Sequence, residues 1–380
     1  MPNVLYITNL PTPYRLPLYR ELGQRLALEG VLLEIFFLGY SRSDRAWNIG
    51  EEDFAGLKYS IAKHPSQILI RDAAAAIARS RPAVVVLAWA MDLAALRLML
   101  HCRLRGIPCI VVSGETLRSA ANNPYAFLRN IFRRPVFRFA SAFITYGTGS
   151  TEYLLASGVE PERVVTGINV VDTDYFSRCV DELRINGAAA EERARYGESF
   201  SCHLLFVGYL LPEKGMMNVL AAFGGIERSD IALHVVGSGP EMDALRSRVE
   251  RDGLAGRVFF HGYRQIDQLP LYYALADILI FPSLEEVFGL VMVEGAAAGL
   301  PMIASANAGG TADVVNDGVN GIIIDPADID SIAAAIARLA DDPALRRAMG
   351  AASRRVAGGT LNLRESARRY MDVIMRYIRR

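Results

Sequence analysis

The chain has 380 residues, 41 basic and 41 acidic side chains, and 52% hydrophobic residues. This length exceeds one ordinary hydrophobic core, so we expect two globular domains. A net charge of zero excludes a general nucleic-acid-binding protein, and four cysteines without paired metal-ligand spacing predict packed thiols in a reducing compartment.

Strands and helices alternate through the first half of the chain. The sequence predicts a strand at Asn3–Thr8, a helix over about 18–29 and a second strand at 32–38. Buried, valine-rich strands are predicted at 83–87 and 108–113, with helices between them. Such alternation is typical of an α/β fold with a doubly wound parallel sheet.

Polar residues follow two of these strands at their carboxyl ends, where α/β proteins bind ligands. The proline-rich loop after the first strand carries Tyr14 and Arg15. Either rigid prolines present these two side chains to a ligand, or the loop only clamps the start of the helix. Glu115 follows the strand at 108–113 and is either a ligand contact or a helix cap.

The segment 127–139, FLRNIFRRPVFRF, interleaves four arginines with aromatic and aliphatic residues. A basic amphipathic segment of this kind can lie on an anionic membrane surface or bind a phosphate group. It can also be an ordinary surface helix whose arginines extend to solvent, and Pro135 interrupts its helical period. Both interpretations stay open.

The second half begins after a charged, alanine-rich stretch at 177–200, which predicts a linker. We therefore expect a first domain at 1–176, a second at 201–358, and a basic amphipathic helix within 359–380. No signal peptide is evident at the first residues, and no apolar run reaches the ~18–20 residues of a membrane-spanning helix. The expected localisation is cytoplasmic, with at most peripheral contact to the inner face of the cell membrane.

The stretch 278–306 predicts a strand, a polar loop, a buried helix and another strand. Two carboxylates are unusual there. Glu286 lies in the loop at the carboxyl end of the strand, and Glu294 lies in a helix whose neighbours are apolar. A buried carboxylate is costly unless it binds something, so both are candidate site residues.

The segment Glu286-Val-Phe-Gly-Leu-Val-Met-Val-Glu294, followed by Gly299-x-Pro301, resembles the E-x7-E signature of GT4-type retaining glycosyltransferases, the glycosyl transferases group 1. This resemblance implies the GT-B fold, in which two Rossmann-like domains face each other across a cleft and the last helix crosses back to the first domain. The N-terminal domain would bind the acceptor and the C-terminal domain a nucleotide sugar.

The resemblance also implies roles for individual residues. Glu286 would hold hydroxyls of the donor sugar, and Lys214 would neutralise the departing diphosphate. Glu294 would accept hydrogen bonds from the ribose, and Glu115 would contact donor or acceptor sugar. Tyr14 and Arg15 would lie on the acceptor side.

Backbone groups complete the implied donor site. The amides of a helix N-terminus favour anions such as the phosphates. The donor-binding candidates of this kind are Gly289, Leu290, Val291, Gly208, Tyr209 and Tyr263. Tyr209 stands where the family has an arginine, so one of two cations that hold the diphosphate is missing. Either Lys214 and helix amides suffice, or another arginine such as Arg264 substitutes.

The predicted function is the transfer of a sugar, with retention of configuration, from a UDP- or GDP-sugar to a hydroxyl of a glycan or lipid-linked acceptor. Neither a metal nor another cofactor is expected. The alternatives are a sugar-nucleotide epimerase or hydrolase on the same fold and a non-catalytic partner of a glycosylation complex. A Rossmann oxidoreductase is disfavoured, because Pro11-Thr-Pro13 replaces the glycine-rich loop that it needs.

Overall fold

The computed structural model describes residues 1–39, 47–62, 69–88, 93–121, 136–197 and 199–379. The chain divides into two compact units, one formed by Met1–Val171 with Leu363–Arg380 and the other by Asp172–Asn362. Each unit contains a parallel sheet with helices packed on it.

The sheet of the first unit has seven strands among the described residues. They are β1 (Asn3–Thr8), β2 (Leu32–Phe37), β3 (Tyr59–Ile61), β4 (Val84–Ala88), β5 (Cys109–Ser113), β6 (Ala142–Thr145) and β7 (Val164–Thr166). Their order is β3-β2-β1-β4-β5-β6-β7, and every pairing is parallel. The direction of winding reverses between β1 and β4, where Thr8 pairs with Ala88.

Helices connect these strands. The structure has α1 (Leu16–Leu28), α2 (Leu69–Ser80), α3 (Leu93–Leu104), α4 (Leu117–Ala121) and α5 (Thr148–Ala156). Successive residues of β1 belong to different hydrophobic clusters, with Val4 and Tyr6 in one and Leu5 and Ile7 in the other. Since side chains alternate across a strand, this sheet is buried on both faces.

The sheet of the second unit has six parallel strands in the part of the chain that the structure describes. They are β8 (Cys202–Val207), β9 (Ile231–Val236), β10 (Val258–Gly262), β11 (Ile278–Phe281), β12 (Met302–Ser305) and β13 (Gly321–Ile324). Their order is β10-β9-β8-β11-β12-β13, so the winding reverses between β8 and β11. This is the strand order of a dinucleotide-binding Rossmann fold.

The helices of the second unit follow the same alternation. They are α6 (Thr173–Ile185), α7 (Ala188–Ala194), α8 (Met216–Gly224), α9 (Met242–Arg251), α10 (Leu269–Leu275), α11 (Leu290–Ala297), α12 (Thr311–Val314), α13 (Ile329–Asp341) and α14 (Pro343–Gly359).

The range 177–200, for which the sequence predicts a linker, contains most of α6 and all of α7 and packs on the second unit. Arg184 donates to the carbonyl of Ala298 (2.9 Å) and to that of Ala274 (3.2 Å). Arg193 pairs with Asp277 at 3.1 Å. These arginines satisfy carbonyl and carboxylate oxygens of the second unit, which is why a segment without an apolar strand belongs to it.

The last helix, α15 (Leu363–Ile378), belongs to the first unit and packs against α1. Ser366 donates to the carbonyl of Gly167 (2.9 Å), and the hydroxyl of Tyr377 donates to that of Ser141 (2.6 Å). The predicted return of the C-terminal helix to the first domain is confirmed.

The predicted fold class, two doubly wound parallel α/β domains, is confirmed by the two sheets. Within the segment 127–139, residues 127–135 lie outside the described part of the chain, so its membrane contact stays a prediction. None of the helices in the described ranges combines the length and the apolarity needed to cross a lipid bilayer.

Candidate functional site

The candidate site lies at the carboxyl ends of β8 and β11, the two neighbouring strands at which the second sheet reverses its winding. In open α/β sheets this reversal leaves a crevice between the loops that follow the two strands. Here those loops are residues 208–215 after β8 and 282–289 after β11.

The two loops are held together by their backbones. The amide of Leu284 donates to the carbonyl of Glu213 (2.8 Å). Gly215 has φ of +73°, and a Cβ at this position would stand 2.3 Å from the carbonyl oxygen of Pro282. Only glycine therefore permits this approach, which positions the preceding residue, Lys214, over the loop that follows β11.

Lys214 and Glu286 form an ion pair across the two loops. The distance from Lys214 Nζ to Glu286 Oε2 is 2.6 Å, and the side chains are 20% and 23% exposed. The other oxygen of Glu286 accepts a hydrogen bond from the amide of Val287 (3.0 Å). The structure thus brings together two of the predicted site residues, in a place that solvent reaches.

Gly289 begins α11 beside this pair. Its φ is +94°, and a Cβ would stand 2.7 Å from the ring of Phe281. The helix has no side-chain cap and no acidic residue in its first turn. The amides of Leu290 and Val291 stand in that turn, where N–H groups have no intrahelical partner, so this end of the helix favours an anion.

Glu294 lies inside α11 and is 1% exposed. Burial raises the pKa of its carboxyl to about 8, and a hydrogen bond from the hydroxyl of Tyr273 (2.5 Å) counteracts part of this shift. Its Oε1 atom has no hydrogen-bond partner among the described residues. A carboxyl group that is neutral at pH 7 and has one oxygen unused can both donate to and accept from a hydroxyl that reaches it.

Three more predicted residues lie at the start of the first loop or after β10. The amide of Gly208 donates to the carbonyl of Val236 (3.0 Å), and the partly exposed Tyr209 follows it. The hydroxyl of Tyr263 donates to Gln265 at 3.3 Å.

Arg264, the candidate for the missing second cation, donates to the hydroxyl of Tyr272 (2.7 Å). Its guanidinium also lies 5.8 Å from the centre of the Tyr272 ring. Arg264 therefore contacts α10, whereas Lys214 contacts Glu286. Among the described residues, no group of three histidine, cysteine or acidic side chains is arranged to hold a metal ion.

Two family models match the chain. Residues 197–356 match glycosyl transferases group 1, and residues 16–167 match the glycosyl transferase 4-like domain. The chain belongs to the GT4-type glycosyltransferases. The first match contains both loops of the site, with Lys214, Glu286 and Glu294.

Among curated relatives of this family, the GDP-mannose-dependent alpha-(1-6)-phosphatidylinositol monomannoside mannosyltransferase of Mycobacterium tuberculosis is 35% identical over 227 residues, or 57% of this chain and 53% of the relative. The alpha-D-kanosaminyltransferase of Streptomyces kanamyceticus is 26% identical over 259 residues, or 66% of each chain. The aligned part spans about half the length of the first of these.

Solved structures show the same fold over the whole chain. HepE of Anabaena in complex with UDP superposes with a TM-score of 0.77 at 18% identity, covering 99% of this chain and 100% of HepE. The sucrose-phosphate synthase of Thermosynechococcus elongatus gives a TM-score of 0.75 at 19% identity and covers 100% of both chains. The predicted GT-B class is thereby confirmed.

The remaining predicted residues lie in the first unit. The guanidinium of Arg15 lies 4.5 Å from the centre of the Tyr146 ring, and Tyr14 is partly exposed. Glu115 follows β5 and is also partly exposed, but the side chain that caps α4 is the next residue, Thr116, which accepts from the amide of Ser119 (3.2 Å). Their roles stay predictions.

Sequence reasoning missed Tyr273, the hydrogen-bond donor to Glu294. A signal was present, because Tyr273 lies in an otherwise apolar stretch, LPLYYAL, that forms a buried helix. The hydroxyl of a buried tyrosine normally finds a polar partner, so a nearby buried carboxyl was a reasonable expectation.

Proposed function

We propose that this chain transfers a sugar from a nucleoside diphosphate sugar to a hydroxyl of a glycan or lipid-linked acceptor, with retention of the anomeric configuration and without a divalent metal. The observation that carries this proposal is the Lys214–Glu286 pair at the reversal of the second sheet, beside the N-terminus of α11. It combines a cation, a carboxylate and free helix amides within one crevice.

Each group has a role in the proposed reaction. The leaving diphosphate gains negative charge as the glycosidic bond breaks, and Lys214 together with the first-turn amides of α11 would stabilise that charge. Glu286 would hold hydroxyls of the donor sugar, so the donor must take over interactions that the two side chains make with each other in the free protein.

Glu294 would contact the ribose. Its one unused oxygen supports this role, whereas its burial means that the hydroxyl must enter the space between α11 and α10. Departure of the diphosphate on the face at which the acceptor hydroxyl arrives would allow retention without a covalent intermediate on the protein. In that case the phosphate oxygen, as the nearest base, would take the acceptor proton.

The nucleotide is the first property to determine. The relatives differ, since one mannosyltransferase is GDP-mannose-dependent and HepE is solved with UDP. Thermal unfolding of the full chain with UDP, GDP, ADP and CDP and their sugars identifies the base, because a ligand at ~100 times its Kd adds ~2.7 kcal/mol of stability.

Transfer is then measured with the selected donor, with and without EDTA, and the anomeric configuration of the product is read by NMR. We expect a new glycoside of retained configuration at the same rate in EDTA. Release of free sugar without a glycoside would favour a hydrolase, and inversion or loss of activity in EDTA would contradict the proposed mechanism.

A further inference from the structure

A cavity is lined by residues of the first unit. Its volume is about 220 Å³, and its walls include Thr8 and Ala88 at the carboxyl ends of β1 and β4. These strands are the neighbours at which the first sheet reverses its winding. The cavity is thus in the position where open α/β sheets bind ligands, and it is several times the ~30 Å³ that one water occupies in the liquid.

Among the described residues that line this cavity, Arg15 is the one charged side chain and none is a carboxylate. Its guanidinium stacks near the ring of Tyr146, at 4.5 Å from the ring centre. No ion pair of Arg15 is present within the described ranges. An arginine held on an aromatic ring keeps its N–H donors for acceptors in its own plane.

The groups around Arg15 are tyrosines, namely Tyr6, Tyr19, Tyr146 and Tyr370. Burial raises the pKa of Tyr370 to about 12 and raises that of Tyr6 above its ordinary value. The hydroxyls of Tyr370 and Tyr6 are therefore uncharged near pH 7 and do not neutralise the guanidinium. Within the described part of the cavity walls, the positive charge of Arg15 meets no carboxylate.

A second observation points to a ligand. Tyr6 lines the cavity and is 1% exposed, and its hydroxyl oxygen has no hydrogen-bond partner among the described residues. Helix α1 also begins at this cavity, with no side-chain cap and no acidic residue in its first turn. A buried hydroxyl, a guanidinium and the positive end of a thirteen-residue helix all favour the same kind of ligand, one with oxygen acceptors and negative charge.

We propose that this cavity binds an oxyanion, a phosphate or carboxylate group, and that this group belongs to the acceptor. The assignment of this group to the acceptor rests on the proposed function, whereas the binding of an oxyanion does not. Arg15 would make paired hydrogen bonds to two oxygens, and Tyr6 would donate to one of them. The acceptor would then be selected by its charge, and its reacting hydroxyl would lie on the part of the molecule that extends out of the cavity.

The test is a binding titration of the full chain with inorganic phosphate, a hexose 6-phosphate, a hexuronate and an uncharged hexose. We expect the anionic compounds to bind and the uncharged hexose not to bind. Whichever of the phosphate and carboxylate compounds has the lower Kd identifies the group. Arg15→Gln should weaken binding about 10- to 100-fold. Arg15→Lys should be intermediate, because it keeps the charge but loses the fork of donors.

Tyr6→Phe is a second variant that keeps the buried ring, and it should weaken binding without loss of the folded state. Arg25→Gln is the matched control, since Arg25 lies on the same helix and pairs with Glu21 at 2.7 Å, outside the cavity. Equal binding by wild type, Arg15→Gln and Tyr6→Phe would overturn the site. Loss of phosphate binding only in Lys214→Ala would also overturn the site, because phosphate would then be binding in the crevice of the second sheet.

The acceptor assignment is tested separately. If Arg15→Gln raises the KM for a charged acceptor at unchanged donor KM, the assignment stands. If only uncharged acceptors are used and Arg15→Gln leaves the acceptor KM unchanged, the assignment to the acceptor fails. The cavity can still bind an oxyanion in that case. If no transfer occurs with any donor, the proposed function fails, and the titration still decides whether Arg15 binds an oxyanion.

Discussion

The ammonium of Lys214 lies 2.6 Å from a carboxylate oxygen of Glu286, although the two residues are 72 positions apart in the chain. The strand order of the second sheet makes this contact possible, because β8 and β11 are neighbours. The free protein therefore keeps a cation and an anion in mutual contact at the place where a charged ligand would replace that contact.

Removal of either member of this pair should affect turnover far more than folding. We expect Lys214→Ala and Glu286→Gln each to lower kcat by ~100–1000-fold, about 3–4 kcal/mol of transition-state stabilisation. The measurement is steady-state transfer with the identified donor, alongside urea unfolding. Lys58→Ala is the control, since Lys58 pairs with Glu34 at 3.3 Å in the first unit. Wild-type rates in both variants would contradict the site.

Substitution by alanine should be tolerated much less well at Gly215 than at Gly253, a glycine of similar backbone conformation. Gly215 and Gly253 have φ of +73° and +68°, but a Cβ meets the Pro282 carbonyl at 2.3 Å in the first case and nothing within 4 Å in the second. Gly253→Ala should cost about 1–2 kcal/mol of stability, the backbone penalty alone. Gly215→Ala should cost more and also weaken nucleotide binding, because the Lys214 loop must move. Equal effects of the two substitutions on stability and binding would show that the close approach does not matter.

Glu294 should make the free protein less stable as the pH rises. Its pKa is about 8 in the folded state against 4.5 for an ordinary glutamate, so between these values the folded state keeps a proton that the unfolded state has released. The free energy of unfolding then falls with rising pH by up to about 1.4 kcal/mol per pH unit. Glu294→Gln should remove this slope, which urea titrations at pH 5, 6.5 and 8 would measure.

The matched variant for this prediction is Tyr273→Phe. Since the Tyr273 hydrogen bond lowers the pKa of Glu294, its loss should extend the same slope to higher pH. Under the proposed function, Glu294→Gln should also weaken nucleotide binding, so its stability gain should shrink when nucleotide is present. A slope that is unchanged in Glu294→Gln would show that this carboxyl is ionised at neutral pH.

Three histidines on adjacent strands should make the second unit sensitive to acid. His234 hydrogen-bonds to His203 (2.9 Å) and to His261 (3.0 Å). Burial lowers the pKa of His203 and of His261 to about 4. Below pH 6.5 the unfolded state therefore binds more protons than the folded state, and each imidazole removes up to about 1.4 kcal/mol of stability per pH unit down to its folded pKa.

The measurement is urea unfolding at pH 4.5, 5.5 and 7 for wild type and His234→Phe. Phenylalanine keeps the aromatic packing but cannot be protonated, so the variant should lose less stability than wild type between pH 7 and 4.5. It should be less stable at pH 7, because ring nitrogens of the buried His203 and the partly buried His261 lose their partner. Identical pH profiles would mean that protonation of His234 does not contribute to the loss of stability in acid.

Much of the fold could be predicted from local patterns. Alternating apolar strands and helices indicated two doubly wound parallel sheets, and a basic amphipathic tail indicated the last helix. The strand β3 (Tyr59–Ile61) was not predicted, because three residues at a sheet edge are too few for a periodic signal. The stretch 177–200 resembled a linker, because the arginines that tie it to the second unit reach backbone carbonyls, which no side-chain pattern reveals.

The sequence by itself identified the candidate site residues: the two glutamates eight positions apart, the lysine followed by glycine, and the arginine among prolines. Only the tertiary structure decided their partners. Lys214 contacts Glu286, Tyr273 donates to Glu294, and Arg15 lies on Tyr146. The physical reason is that periodicity and turn residues act over a few positions, whereas these contacts depend on which strands are neighbours and on how closely their loops approach.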